Sequence, residues 1–375
     1  MFTFGIEHEV AFAHQNGHFA DYITTSFAEF DAIIAQLPIY ERDYPYLRIG
    51  DAGIRRKRWY IEGLERFTTH GLLACHLPKG IEIRTTPHAT IRGAVDELTT
   101  SFHLLCREAG EAGFFPVLTS FNPYRTKFVA DPPFNAFEEA MLSESPEDRT
   151  SVLAVLTYGP DLNISVQDVG VDDLIDIGRK LTYYSPYIVP FSYSSPFFDG
   201  DLWDGLSVRT FMRTGLRPAT QVFLAKPEDL QSSNPSLTKL ARIPFEVGRI
   251  EFKACDSCKD FEIYAGLLAL LKGLILDTSL KSRATTPDRE RHQASARQGF
   301  ANAEFAEITE RVVQAARHSL GVDGDVCLLE PLERMLEQRT TPAHSMIHAF
   351  QNTGSLEEAL RQTYASLKPC IYHAG

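Results

Sequence analysis

The sequence predicts one α+β domain over residues 1–375, with a helical part from about residue 285 to the end. Three observations carry this reading: short alternating segments are interleaved with longer helical patterns, no composition break or low-complexity tract marks a linker, and the pattern turns helical after Thr285. With 375 residues, 44% hydrophobic and 23% charged, the chain can bury a large core.

The first element is "FGIEHEVAF", Phe4 to Phe12, whose alternation reads as a strand. Alternate side chains share a face, so Glu7 and Glu9 point one way while Ile6, His8 and Val10 point the other. A buried carboxylate pair needs a cation or water, although the same alternation also describes an edge strand with one wet face. Apolar residues at helical spacing predict helices within 22–37, 91–110, 148–159 and 171–184, and again in "AEFAEITERVVQAARHSL" and "LEEALRQTYASL". "GIEIRTTP", "DLNISVQ" and "VGRIEFKACD" read as strands, and "YIEGLER", with Glu62 and Glu65, as a helix or turn. The stretch 183–205 carries Pro186, Pro190 and Pro196 and reads as a shaped loop.

The spelling Ile-Glu followed by a charge two places on recurs. "GIEIR" puts Glu82 and Arg84 on one strand face, and "RIEFK" does so for Arg249, Glu251 and Lys253. If these strands share a sheet with polar faces aligned, Glu7, Glu9, Glu82 and Glu251 form an acidic cluster beside three cations. Oxygen ligands in that number suit Mg²⁺ or Mn²⁺, and the cations suit phosphates or carboxylates, which together is the equipment of phosphoryl transfer.

Other features narrow the class. A formal net charge of -12 argues against general nucleic-acid binding, and the short run "RRKRW", Arg55 to Trp59, reads as a solvated face or a local anion contact. Six cysteines at 75, 106, 255, 258, 327 and 370 are scattered, which predicts reduced thiols in a cytoplasm. The start lacks a signal-peptide pattern, and the most apolar helix candidate, "YAGLLALLKGLILD", is too short to span a bilayer, so neither export nor a membrane span is expected. "CDSCK" has C-x-x-C spacing without a second pair, so packing is favoured over zinc. The aromatic run Tyr183, Tyr184, Tyr187, Phe191, Tyr193, Phe197 and Phe198 reads as core or as a purine cradle, and no G-x-x-x-x-G-K loop is present.

"FGIEHEVAF", "GIEIRTTPHATI", "GPDLNISVQ", "PFSYSSPFFDGDLWDGLSVRTFMRTGLRPA", "RIEFKACD" and "ARQGF" follow one another in the order of the blocks of the glutamate–cysteine ligase type 2 and carboxylate–amine ligase family, which the chain resembles from about Phe4 to Phe300. The resemblance implies a glutamine-synthetase-like fold, in which a curved antiparallel sheet, backed and flanked by helices, binds ATP, metal ions and an amino acid. It implies phosphorylation of a carboxylate by ATP, then attack of an amine on the acyl phosphate; the substrates would be glutamate with cysteine or another amine. On that resemblance Glu7, Glu9 and Glu251 are Mg²⁺ (or Mn²⁺) ligands, and Glu82 is a further ligand or a contact to the amine. Arg209 holds a phosphate or the substrate carboxylate. Asn163, Asp161, Lys253 and Arg297 belong to the cofactor side, a structural salt bridge being an equal alternative for Arg297. Two positions depart from the pattern: Asp161 stands where relatives commonly have histidine, and Lys253 where they usually have arginine. Lysine keeps the charge but loses the two-pronged fork. Three further readings stay open: the same activation with a different acid or amine, a non-catalytic binding protein, and a metal-dependent hydrolase that needs no nucleotide.

Overall fold

The computed structural model describes residues 1–47, 52–55 and 57–364. Arg56 of the basic run, Cys370 and the end of the last helical pattern lie outside them. The strands are β1 (Phe2–His14), β2 (Phe19–Ala20), β3 (Trp59–Phe67), β4 (Leu73–Arg84), β5 (Phe114–Val117), β6 (Pro160–Val166), β7 (Phe197–Phe198), β8 (Asp201–Leu202), β9 (Thr220–Leu224), β10 (Thr238–Leu240) and β11 (Arg249–Phe252). The main sheet runs β10-β9-β11-β6-β1-β4-β3, with β2 and β5 added to the far end of β1, while β7 and β8 form a separate hairpin. The expected curled, helix-flanked sheet is present. Its pairings are antiparallel except between β9 and β10, which run parallel at one edge.

The helices are α1 (Phe27–Gln36), α2 (Ile91–Glu111), α3 (Ala136–Ser143), α4 (Pro146–Arg149), α5 (Val171–Ile188), α6 (Val208–Arg213), α7 (Phe261–Leu276), α8 (Arg289–Gln298), α9 (Ala303–Leu320), α10 (Glu330–Glu337), α11 (Pro342–Thr353) and α12 (Leu356–Arg361). From Arg289 on, the described chain is helices and 3₁₀ turns. α2, α5 and α7 pack against the sheet. None of the described helices is long and apolar enough to cross a membrane.

Alternation in β1 divides the molecule into two faces. Phe4, Ile6, His8 and Val10 enter the core behind the sheet, so Glu7 and Glu9 face the other side. His8 is wholly buried among Phe102, Phe261 and Tyr264. Tyr264 Oη accepts the Cys258 amide and shares a hydrogen bond of 3.0 Å with His8 Nδ1. Burial drives this imidazole down to about 3, so it is neutral.

Several expectations need correction. Residues 148–159 form the end of α4, a 3₁₀ turn at Ser151–Leu156 and the approach to β6 instead of one helix. "YIEGLER" is strand, the middle of β3, because it pairs along β4. The proline-rich stretch is partly helical: α5 continues through Pro186 to Ile188. Proline removes the bond to Thr182, whose carbonyl instead accepts Ser185 Oγ at 2.7 Å. Tyr184, Tyr187, Phe191, Tyr193 and Phe197 are core. In the basic run, Arg58 pairs with Asp43 and Glu97, Lys57 caps carbonyls at the end of α1, and Trp59 is buried. Cys255 and Cys258 are both buried, and burial pushes the Cys255 thiol up to about 12.

The pairing of β3 with β4 contains one interruption that matters. Glu62 lies opposite Gly80, but Gly63 lies opposite Pro78, so Lys79 is the extra residue of a β-bulge. A Cβ on Gly80 would meet the Val10 carbonyl oxygen at 2.3 Å, a distance only displacement of β1 or β4 could relieve. Gly80→Ala is therefore expected to lower the unfolding free energy by about 1–3 kcal/mol, the usual penalty for overpacking. Urea unfolding checks this, and an unchanged midpoint would show that the two strands yield freely there.

Candidate functional site

The concave face of the sheet lines a cavity of about 1230 Å³. Strand register brings the acidic residues together: Glu7 lies between Arg84 on β4 and Asp161 on β6, Glu9 is opposite Glu82, and Glu251 is opposite Asn163. The outcome is two groups of three carboxylates, Glu7 with Asp161 and Glu251, and Glu9 with Glu62 and Glu82. Within each, one oxygen per residue lies within 4.8 Å of the others. Eight of the nine residues singled out from the sequence line this cavity: Glu7, Glu9, Glu82, Asp161, Asn163, Arg209, Glu251 and Lys253.

Each acidic group already carries an ammonium. Lys253 Nζ bonds Asp161 and, at 2.9 Å, Glu251. Lys79 Nζ bonds Glu9 at 2.6 Å and the Thr157 carbonyl at 2.8 Å, and lies 3.8 Å from Glu62. Arg249 stands 3.4 Å from both Glu7 and Glu251. The Gly159 amide donates to Glu9 at 2.8 Å, and Tyr60 Oη donates to Glu82. Arg84 on β4 and Lys239 on β10 add two further cations to the lining.

The electrostatics follow from burial and crowding. Burial, with repulsion from Glu9, Asp161 and Glu7 and against the pull of Lys79, raises Glu62 to about 7. Burial and the same neighbours hold Glu82 well above the carboxylate range. Burial also raises Asp161 to about 6 despite Lys253. Glu251 goes the other way: burial pushes it up, but Lys253 and Arg249 outweigh that and hold it at about 2. Asn163 Oδ1 is buried without a hydrogen-bond partner beside the first group. Crowded, proton-retaining carboxylates and an unused amide oxygen fit a hard divalent cation, which takes oxygen ligands.

Two expected residues sit differently. Arg297, on α8, lies outside the lining of the cavity; its guanidinium covers Phe211 at 4.2 Å and approaches Asp204 at 3.4 Å, because α8 packs on α6 and not on the sheet. Arg209 is on α6, only 4% exposed, and not a surface arginine. Its terminal nitrogens donate to the carbonyls of Ala254 and Lys253 at 3.0 and 3.1 Å, beside Asp256, which Ser194, Ser195 and Ser207 hold in turn. Arg209 thereby fixes the end of β11 that carries Glu251 and Lys253.

Sequence reasoning missed Tyr60, Glu62, Lys79 and Arg213, all of which line the cavity. Glu62 had a signal, the same Ile-Glu spelling. Arg213 follows Arg209 by one helical turn; it is buried, donates to the Pro218 carbonyl at 2.9 Å, and has no carboxylate partner among the described residues. Lys79 had none, since the bulge breaks the alternation that places side chains.

No protein-family model matches the sequence, and no curated protein matches it. Among solved structures the chain is similar to glutamate–cysteine ligase of Francisella tularensis in complex with AMP, with a TM-score of 0.57 at 11% identity over 97% of this chain and 88% of that one. It is equally similar to a bifunctional glutathione synthetase from Pasteurella multocida, with a TM-score of 0.57 at 13% identity, where 97% of this chain spans 52% of the other. The chain thus spans about half the length of the second protein. These likenesses are of fold.

Glu62 and Asp161 bind protons more tightly in the native state than in the unfolded chain, so their contribution to stability is present at low pH and lost as pH rises through about 6 and about 7. In EDTA the thermal midpoint is expected to fall across that interval, with a shallower fall in Glu62→Gln and a larger Mg²⁺-induced rise at the high end. Scanning fluorimetry across pH checks this, and a flat profile would mean that the two carboxyls are not crowded.

Proposed function

We propose that this chain is an ATP- and Mg²⁺-dependent carboxylate–amine ligase that makes an amide through an acyl phosphate, with glutamate as the acid and glutamate–cysteine ligation as the reference reaction. The observation that carries the reading is the pair of carboxylate triads, each with its own lysine, on the concave face of one sheet. Glu7, Glu9, Glu251 and Asp161 are the residues that would hold the metal, whose charge would offset that of the phosphoryl group in transfer. Arg249, Lys253 and Arg213 bind anionic oxygens of nucleotide and acid, and the Gly159 amide and Asn163 keep Glu9 and Glu7 in place. In the second step the amine nitrogen forms a bond to the acyl carbon, and the bond from that carbon to the phosphate oxygen breaks. Inorganic phosphate leaves with the electron pair. Glu62, in its ionised form, accepts one of the two protons the ammonium must lose and the departing phosphate takes the other, while Glu82 contacts the amine.

The two departures from the family pattern support a working site, because Asp161 and Lys253 bond each other. An acid in place of a neutral ring is offset by a cation aimed at it, which favours adaptation over decay. The same chemistry with another amine is the second reading, favoured by a side cavity that opens at Glu62.

Phosphate release measured for a panel of acids and amines with ATP and Mg²⁺ tests the proposal. Glu7→Gln and Glu251→Gln are expected to lower the rate by about 10²–10³-fold with the fold intact by circular dichroism, since each removes charge but keeps shape. Asp161→Asn should also slow release and weaken Mg²⁺ binding. Near-normal rates in either glutamine variant at saturating Mg²⁺, or a wild type and Asp161→Asn that are both silent with every pair, would sink the enzyme reading.

A further inference from the structure

A second cavity of about 300 Å³ adjoins the main one, and Ile54, Tyr60 and Glu62 line both. Its walls are mostly apolar: besides Ile54 they include Leu64, Phe67, Phe134, Met141 and Leu142. The walls are also tied together. Arg66 of β3 makes a two-pronged pair with Glu138 of α3 at 2.6 and 3.0 Å, and its guanidinium lies 4.9 Å from the centre of the Phe134 ring. The cavity is therefore formed before any ligand enters, as ligand pockets usually are.

We infer that this side cavity receives the side chain of the amine substrate, its ammonium seated on Glu62 and Glu82, and that the amine is a bulky apolar one in place of cysteine. The inference rests on the ligase reading. Charge complementarity selects an ammonium: this triad already bonds one, that of Lys79, which is directed at Glu9 and stands 3.8 Å from Glu62, leaving Glu82 and one side of Glu62 to a second. Shape selects the rest. Pockets that enclose small molecules start at about 300 Å³, so one methylene and a thiol would leave most of this space without contact atoms, whereas an aryl or branched alkyl group would fill it. An apolar lining gives such a group a gain that a small polar one does not collect.

Calorimetry with phenethylamine alone tests the cavity without turnover. Wild type is expected to bind it, and Leu142→Trp, which fills the cavity, and Glu62→Gln, which removes the head-group charge, are each expected to weaken binding at least tenfold. Met141→Trp, on the exposed rim of the cavity, serves if Leu142→Trp fails to fold. Absence of binding to wild type, or equal binding to the tryptophan variant, overturns the inference. Phosphate release with glutamate, ATP and Mg²⁺ is then expected to be faster with phenethylamine than with cysteine. A higher rate with cysteine overturns the inference and leaves the ligase reading standing. Binding of phenethylamine without phosphate release from either amine overturns its role as substrate and leaves the ligase reading to the wider panel of acids and amines.

Discussion

Six carboxylates on one face of a sheet repel one another, and most of the site is an answer to that repulsion. β1 sits between β4 and β6, so register alone sets Glu7 against Asp161 on β6 and Glu9 against Glu82 on β4. Lys253, Arg249 and Lys79 divide the crowd into two groups, and what they leave uncompensated shows as carboxyls that keep their protons. A buried pair of this kind adds little net stability over an apolar replacement, so its retention points to use by a ligand.

Support for these charges comes from behind and beside the sheet. The apolar face of β1 is anchored in a dry aromatic box, and the end of β11 is pinned by Arg209 on two backbone carbonyls. Arg209 in turn rests near Asp256, whose oxygens are occupied by the Ser194 amide and Ser195 hydroxyl of the stretch read as a shaped loop and by the Ser207 hydroxyl. That stretch is better understood as the bracket that holds the end of β11 in place. Side chains thus fixed lose less conformational entropy on meeting a ligand than free ones do.

Much of this was legible because strands obey parity. Alternation put Glu7 with Glu9, Glu82 with Arg84, and Glu251 with Lys253, and one assumption, that the strands share a sheet, assembled the cluster. What escaped did so for physical reasons. Lys79 escaped because a bulge inverts parity at one residue, a feature set by the partner strand and invisible in the strand itself. Glu62 escaped because the same segment fits a helical period as well as a strand until its pairing is known. Arg297 was placed by its neighbours in sequence, while its position depends on which layer α8 packs against. Residues 148–159 carry a helical spacing that the tertiary structure uses for a 3₁₀ turn, which aims Ala154 and Leu153 into the cavity.

His8 lies between the two glutamates in sequence, on the opposite face of the same strand. Since its ring is dry and neutral, ordinary changes of solution pH leave it silent. Its position in the field of three aromatic rings makes its carbon-bound protons sensitive to small shifts of β1. The molecule consequently carries its own magnetic reporter, one backbone step from Glu7 and from Glu9 and unable to touch whatever binds in the cavity. Resonances of this imidazole separate movement of the strand from chemistry at the site, a distinction that labels placed within the cavity could not make.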